Sequence, residues 1–140
     1  MNEHMFFTEV ERRLACDAKR AEALTFAVFQ ELRTVLSDKE AADVAAQLPT
    51  GLKRLWQHEA GHEHRPERLH RGEFVGRVRQ LAALPDDTEA DRAVRAVFGA
   101  LQHALGSPTG REGEAWDIFS QLPKHLKTLW LDAAAPGAGA

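Results

Sequence analysis

Apolar residues recur along this chain at intervals of three and four, the spacing that gathers side chains on one face of an α-helix. Ala41, Val44, Ala45 and Leu48 form one such stripe, and Ala115, Ile118, Phe119 and Leu122 repeat it at an offset of 74 residues. The likeness runs on in both directions. "QLPTGLKRLW" at 47–56 returns as "QLPKHLKTLW" at 121–130. Upstream, Ala27, Val28, Phe29, Leu32 and Leu36 answer Ala96, Val97, Phe98, Leu101 and Leu105 at an offset of 69, while Phe6 and Val10 answer Phe74 and Val78. The change of offset falls in "GSPTGRE", a loop by its Gly and Pro content. With no Tyr, a single Ile and no alternating apolar run, strands are not expected. The pattern predicts one all-α domain over 1–140, a compact helical bundle of two tandem four-helix copies related by an approximate two-fold. Copy one spans about 5–56, a linker about 57–72, copy two about 73–130 and a flexible tail 131–140.

Punctuation along the chain supports four helices per copy. Asp17 and Asp86 stand where the long second helices should start, and Asp86 with Glu89 has capping-box spacing. Ser37 with Glu40 and Thr109 with Glu112 have the same spacing ahead of the third helices. Leu48-Pro49 and Leu122-Pro123 should then end those helices. A residue before proline is pushed out of the α region, whereas proline itself suits the first position of the next helix. Beyond each corner, Leu52, Leu55 and Trp56, or Leu126, Leu129 and Trp130, fall on one face and are expected in the core.

Composition narrows the function classes. A chain of 140 residues with 44% hydrophobic and 28% charged residues is an ordinary globular domain that can bury a sizeable core. A net charge of −3 and a pI near 6.2 give no general attraction to phosphate backbones or anionic lipid, so neither nucleic acid nor membrane is expected as a partner. The one cysteine, Cys16, cannot form an internal disulfide, and "MNEHMFFTEVERRL" lacks the basic and apolar regions of a signal peptide. These features predict a cytoplasmic protein.

The paired "QLP" corners, each followed by "L-K-x-L-W", resemble the DUF2267 family of prokaryotic proteins, and the resemblance covers about Phe6 to Trp130. It implies a compact helical domain in a bacterial cytoplasm. It implies no activity and carries over no catalytic residue, because the family is named for having no known function.

Between the copies lies "WQHEAGHEHRPERLHRG", whose His58-Glu59-Ala60-Gly61-His62 matches the H-E-x-x-H pattern of zinc metalloproteases. On a helix that pattern aims two imidazoles at one zinc ion, with the Glu as general base on bound water. Here the neighbourhood argues otherwise. Between Trp56 and Leu69 the only apolar side chains are Ala60 and Pro66, so a helix would have no face to bury. Arg65 and Arg68 stand where the longer metzincin pattern needs Gly and His. A milder alternative is a metal-binding tract in which His58, His62 and His64, with His70 nearby, take Zn²⁺, Ni²⁺ or Cu²⁺ without catalysis. The leading expectation for the segment is a solvated linker.

Other candidates have structural explanations. Gln47 and Gln121 are expected to satisfy backbone groups at the corners, and Asp43 with Lys53, or Asp117 with Lys127, to pair across them. His103 and His125 have no counterpart in copy one, where Thr34 and Gly51 align, and are expected as isolated surface residues. Cys16 beside Asp17 should have a raised thiol pKa and no nucleophilic role. With no convergent titratable set, the sequence predicts a non-enzymatic helical module that binds a protein partner or itself, without a cofactor. The alternative is a metal-binding protein or zinc-dependent hydrolase using His58, Glu59 and His62.

Overall fold

In the computed structural model, residues 3–56, 66–107 and 109–134 are described, and among them eight helices and no strand occur. The first half carries α1 (Glu3–Leu14), α2 (Ala18–Thr34), α3 (Asp38–Gln47) and α4 (Thr50–Trp56). The second carries α5 (Arg71–Leu81), α6 (Asp87–Ala104), α7 (Gly113–Gln121) and α8 (Lys124–Ala134). The all-α expectation holds. α8 continues past Trp130 into the stretch expected as tail, because Ala133 is buried and extends its apolar face.

Helix starts follow their caps. Asp17 accepts the Arg20 N–H at 2.8 Å and Asp86 accepts the Glu89 N–H at 2.8 Å. Ser37 and Glu40 close a full capping box, at 3.1 and 2.8 Å. The Thr109–Glu112 pair is the exception: Thr109 donates to the Glu112 carboxylate at 2.9 Å, yet α7 starts only at Gly113. Gly110 and Gly113 lie at φ +74° and +54°, a left-handed conformation that keeps this stretch from winding into the first turn of a helix. The pair therefore stabilises a turn.

Both proline corners form alike. Leu48 sits at φ −79°, ψ 148° and Leu122 at φ −71°, ψ 141°, extended as the following prolines require. The prolines' own carbonyls then accept from Leu52 N and Leu126 N at 2.9 Å, opening α4 and α8. The expected role for Gln47 and Gln121 is not seen, since the last N–H groups reach Ala45 O and Phe119 O, leaving the amides no work at the corner. Asp43 with Lys53 and Asp117 with Lys127 form no ion pair. Both aspartates are exposed, where holding two solvated side chains together returns little, and Lys127 lies instead over the Phe119 ring at 5.4 Å.

One core runs through both halves. It includes Phe6, Val10, Phe29 and Leu32 with Phe74, Val78, Phe98 and Leu101. α1 lies against α6 as well as α2, α5 lies against α2 as well as α6, and α3 packs on α7. Trp56 and Trp130 are 4% and 0% exposed, as expected of core residues. Trp56 donates its indole N–H to Ala41 O at 3.0 Å and Trp130 to Gly110 O at 2.6 Å. Their own carbonyls are held by α2 and α6 at repeat-equivalent positions: Arg33 donates to Trp56 O, and Gln102 to Trp130 O at 2.9 Å.

On the α1–α6 contact, a Cβ built on Gly99 would meet the Arg13 guanidinium at 1.9 Å. Arg13 reaches back to Glu9 at 3.2 Å, and Arg12 makes two 2.7 Å bonds to the same carboxylate. The hydrogen bonds from Arg12 lead in pulling the Glu9 pKa down from 4.5 to about 2, against the opposing effect of burial. A depressed carboxylate pKa stabilises the fold above the ordinary value and ceases to do so as the pH falls through the folded one. Stability should therefore decline between about pH 4.5 and pH 2. The ceiling on that loss is about 3 kcal/mol, and exposed Arg12 brings solvent screening that lowers it. Urea unfolding of the wild type and Glu9→Gln across this range measures it, the variant giving the flatter profile.

Gly110 supplies a second test. A Cβ there would meet Trp130 Nε1 at 2.7 Å and Gln102 Nε2 at 2.8 Å, at a positive φ. Gly110→Ala should cost on the order of 2–4 kcal/mol, combining backbone strain with loss of buried hydrogen bonds. Gly106→Ala shares the positive φ (+70°) but meets nothing within 4 Å, so it should cost about 1–2 kcal/mol. Thermal unfolding of the two variants separates the contributions.

Candidate functional site

Three surface features merit comparison as sites. The first is an open cleft of about 440 Å³ lined by Arg71, Gly72 and Val75 of α5 and by Asp87, Thr88 and Asp91 of α6. Its charged groups neutralise one another: Arg71 reaches Asp91 at 3.5 Å and, outside the cleft, Asp132 at 3.0 Å, while Arg79 holds Asp87 at 2.8 Å. Each of the two carboxylates is tied to a guanidinium, so neither is left free to act on a bound molecule. Arg71 serves to join α5 to α6 and α8.

The second feature concerns the histidines. His58, His62 and His64, with Glu59, lie outside the described residues. His70, at the end of the same tract, is described: it is the N-cap residue of α5, its N–H donating to Glu73 Oε1 at 3.0 Å. His125, expected to stand alone, lies beside it, with ring centroids 4.7 Å apart in an edge-on arrangement. No residue spacing relates position 70 to 125; the meeting depends on α5 packing on α8. No group of three or more His, Cys, Asp or Glu side chains placed to hold a metal occurs among the described residues.

The third feature is apolar. Met5, Phe26, Leu81 and Trp116 are large hydrophobic residues with 41–48% of their surface exposed. Trp116, on α7, is the most exposed at 48%, and its ring lies 5.6 Å from that of buried Phe119. Arg111 and Lys127 cover the Phe119 ring at 5.7 and 5.4 Å, cation–π distances, and exposed Glu114 and Asp117 belong to the same helix. The repeat alignment carried a signal for this residue: the position aligned with Trp116 is Ala42, so an indole stands where the repeat needs no bulk.

Cys16 is partly buried, and burial, followed by the Asp17 and Glu11 carboxylates, raises its thiol pKa. It is no activated nucleophile. Among the described helices none is long and apolar enough to cross a membrane.

These features define a helical bundle whose cleft carboxylates are held in ion pairs. The family profile described as "Uncharacterized conserved protein (DUF2267)" matches residues 3–129, and the chain belongs to that family. No curated protein matches it.

The state of Cys16 can be checked directly. Iodoacetamide should alkylate the native protein at neutral pH more slowly than a free model thiol, and unfolding in urea should remove the difference. Native alkylation as fast as that of the model thiol would contradict a raised pKa.

Proposed function

We propose that this chain is a non-enzymatic helical module that docks a protein partner on the α7 face centred on Trp116. The carrying observation is the 48% exposure of Trp116 in a chain whose other two tryptophans are 4% and 0% exposed. An exposed indole carries a large apolar area at little entropic cost, and tryptophan is enriched among the few residues that dominate binding energy. The surroundings supply a rim of both signs, with Arg111 and Lys127 beside Phe119, and Glu114 and Asp117 along α7. The fitting partner offers an apolar side chain to the indole within its own mixed-charge rim. Engagement of the cleft carboxylates by Arg71 and Arg79 also favours binding over catalysis.

Trp116→Ala should weaken partner binding by about 2 kcal/mol, roughly thirtyfold in Kd, while costing far less thermal stability than truncation of a buried tryptophan, because the side chain is half exposed. Affinity capture with the wild type, Trp116→Ala and Phe26→Ala, read by mass spectrometry, checks this: the expected partner is lost with the Trp116 variant alone. Light scattering over a concentration series identifies the case in which that partner is a second copy. A protein that stays monomeric and retains nothing dependent on Trp116 contradicts the proposal.

A further inference from the structure

We propose that His70 and His125 form a two-histidine chelate for a divalent transition-metal ion of the zinc class, bridging the starts of α5 and α8. Their ring centroids are 4.7 Å apart. Metal–nitrogen bonds of about 2.0–2.1 Å bring the two ligating nitrogens roughly 3 Å apart, which rotation of neighbouring rings can supply. Imidazole suits zinc, nickel and copper ions, and because both histidines are exposed, water can complete the coordination shell.

The backbones that carry the rings are fixed independently of any ion. His70 is held at the N-cap of α5, its N–H on Glu73 Oε1 at 3.0 Å and its carbonyl accepting from Phe74 N at 2.9 Å. His125 lies in the first turn of α8, just past the Pro123 corner, and its carbonyl accepts from Thr128 Oγ1 at 3.1 Å. Arg71, next to His70, ties the two helices together through Asp132 at 3.0 Å and Thr128 at 3.4 Å. The Asp132 and Asp91 carboxylates balance the Arg71 charge, which removes a local objection to a dication. Exposed Lys124 beside His125 is screened by water. Because the ligands come from different helices, an ion held by both adds a cross-link between α5 and α8.

The experiment uses full-length, tag-free protein with His58→Ala, His62→Ala and His64→Ala combined, so that the pair is read apart from the neighbouring tract. Titration calorimetry with Zn²⁺ should show one saturable site per chain, and Zn²⁺ should raise the thermal midpoint. A further His70→Ala or His125→Ala change should weaken binding roughly a hundredfold, the loss expected when a two-point attachment becomes one-point, and should abolish the thermal shift. His125→Gln, which keeps side-chain bulk, should behave like His125→Ala, and His103→Ala should change nothing. The absence of saturable Zn²⁺ binding, or binding and thermal shift that survive removal of His125, would overturn the proposal.

Discussion

Burial of two indole rings is the constraint on which the rest of the structure depends. Each sits in the helix that follows a proline corner, and each brings one N–H and a nearby carbonyl into a region that water does not reach. A buried polar group without a partner costs about 1–3 kcal/mol, so the surrounding chain must deliver acceptors and donors to those points. α2 and α6 answer with Arg33 and Gln102, repeat-equivalent residues that both donate to a tryptophan carbonyl. Residues of different chemistry thus meet the same geometric demand. Phe29 and Phe98 then pack on the indoles, with centroids 5.3 and 5.2 Å away.

The indole N–H groups show how an insertion is absorbed. In the first half Trp56 reaches directly to Ala41 in α3, whereas in the second Trp130 reaches Gly110, inside the longer connection between α6 and α7. That connection is wired into the core: Ser107 is 2% exposed, donates its N–H to Gln102 O at 2.8 Å, and accepts from Glu112 N on its hydroxyl at 3.1 Å. Within these extra residues lies the acceptor for a core side chain. The approach works only because Gly110 lets the backbone come within hydrogen-bonding distance of the ring.

Much of the fold was legible because local rules govern it. Apolar periodicity placed the helices, and the caps at Asp17, Ser37 and Asp86 and both pre-proline corners formed where their chemistry required. Thr109–Glu112 misled because the same spacing serves a turn when flanking glycines adopt positive φ, and residue identity alone does not fix φ. Gln47 and Gln121 misled because backbone groups at a corner can satisfy one another. The surface features were harder to foresee. His70 and His125 are far apart in sequence and belong to different helices, and Trp116 was visible only as a mismatch with Ala42. The motif most conspicuous in the sequence falls outside the described residues, whereas its less conspicuous neighbour His70 takes part in a defined contact.

The seating of α1 against α6 bears on how the chain reaches this arrangement as it leaves the ribosome. Phe6 and Val10 lie on α1, which packs against α6, so α1 must wait until residues 87–104 have been synthesised. Closing so long a segment carries an entropic cost that rises only slowly with length, but it makes the contact a late one. Until then an amphipathic helix and its partner surface stay open to the wrong neighbours, including the same elements of another nascent chain. The charged cluster of Glu9, Arg12 and Arg13 is local to α1 and can assemble at once, which gives the waiting helix a polar flank during that interval.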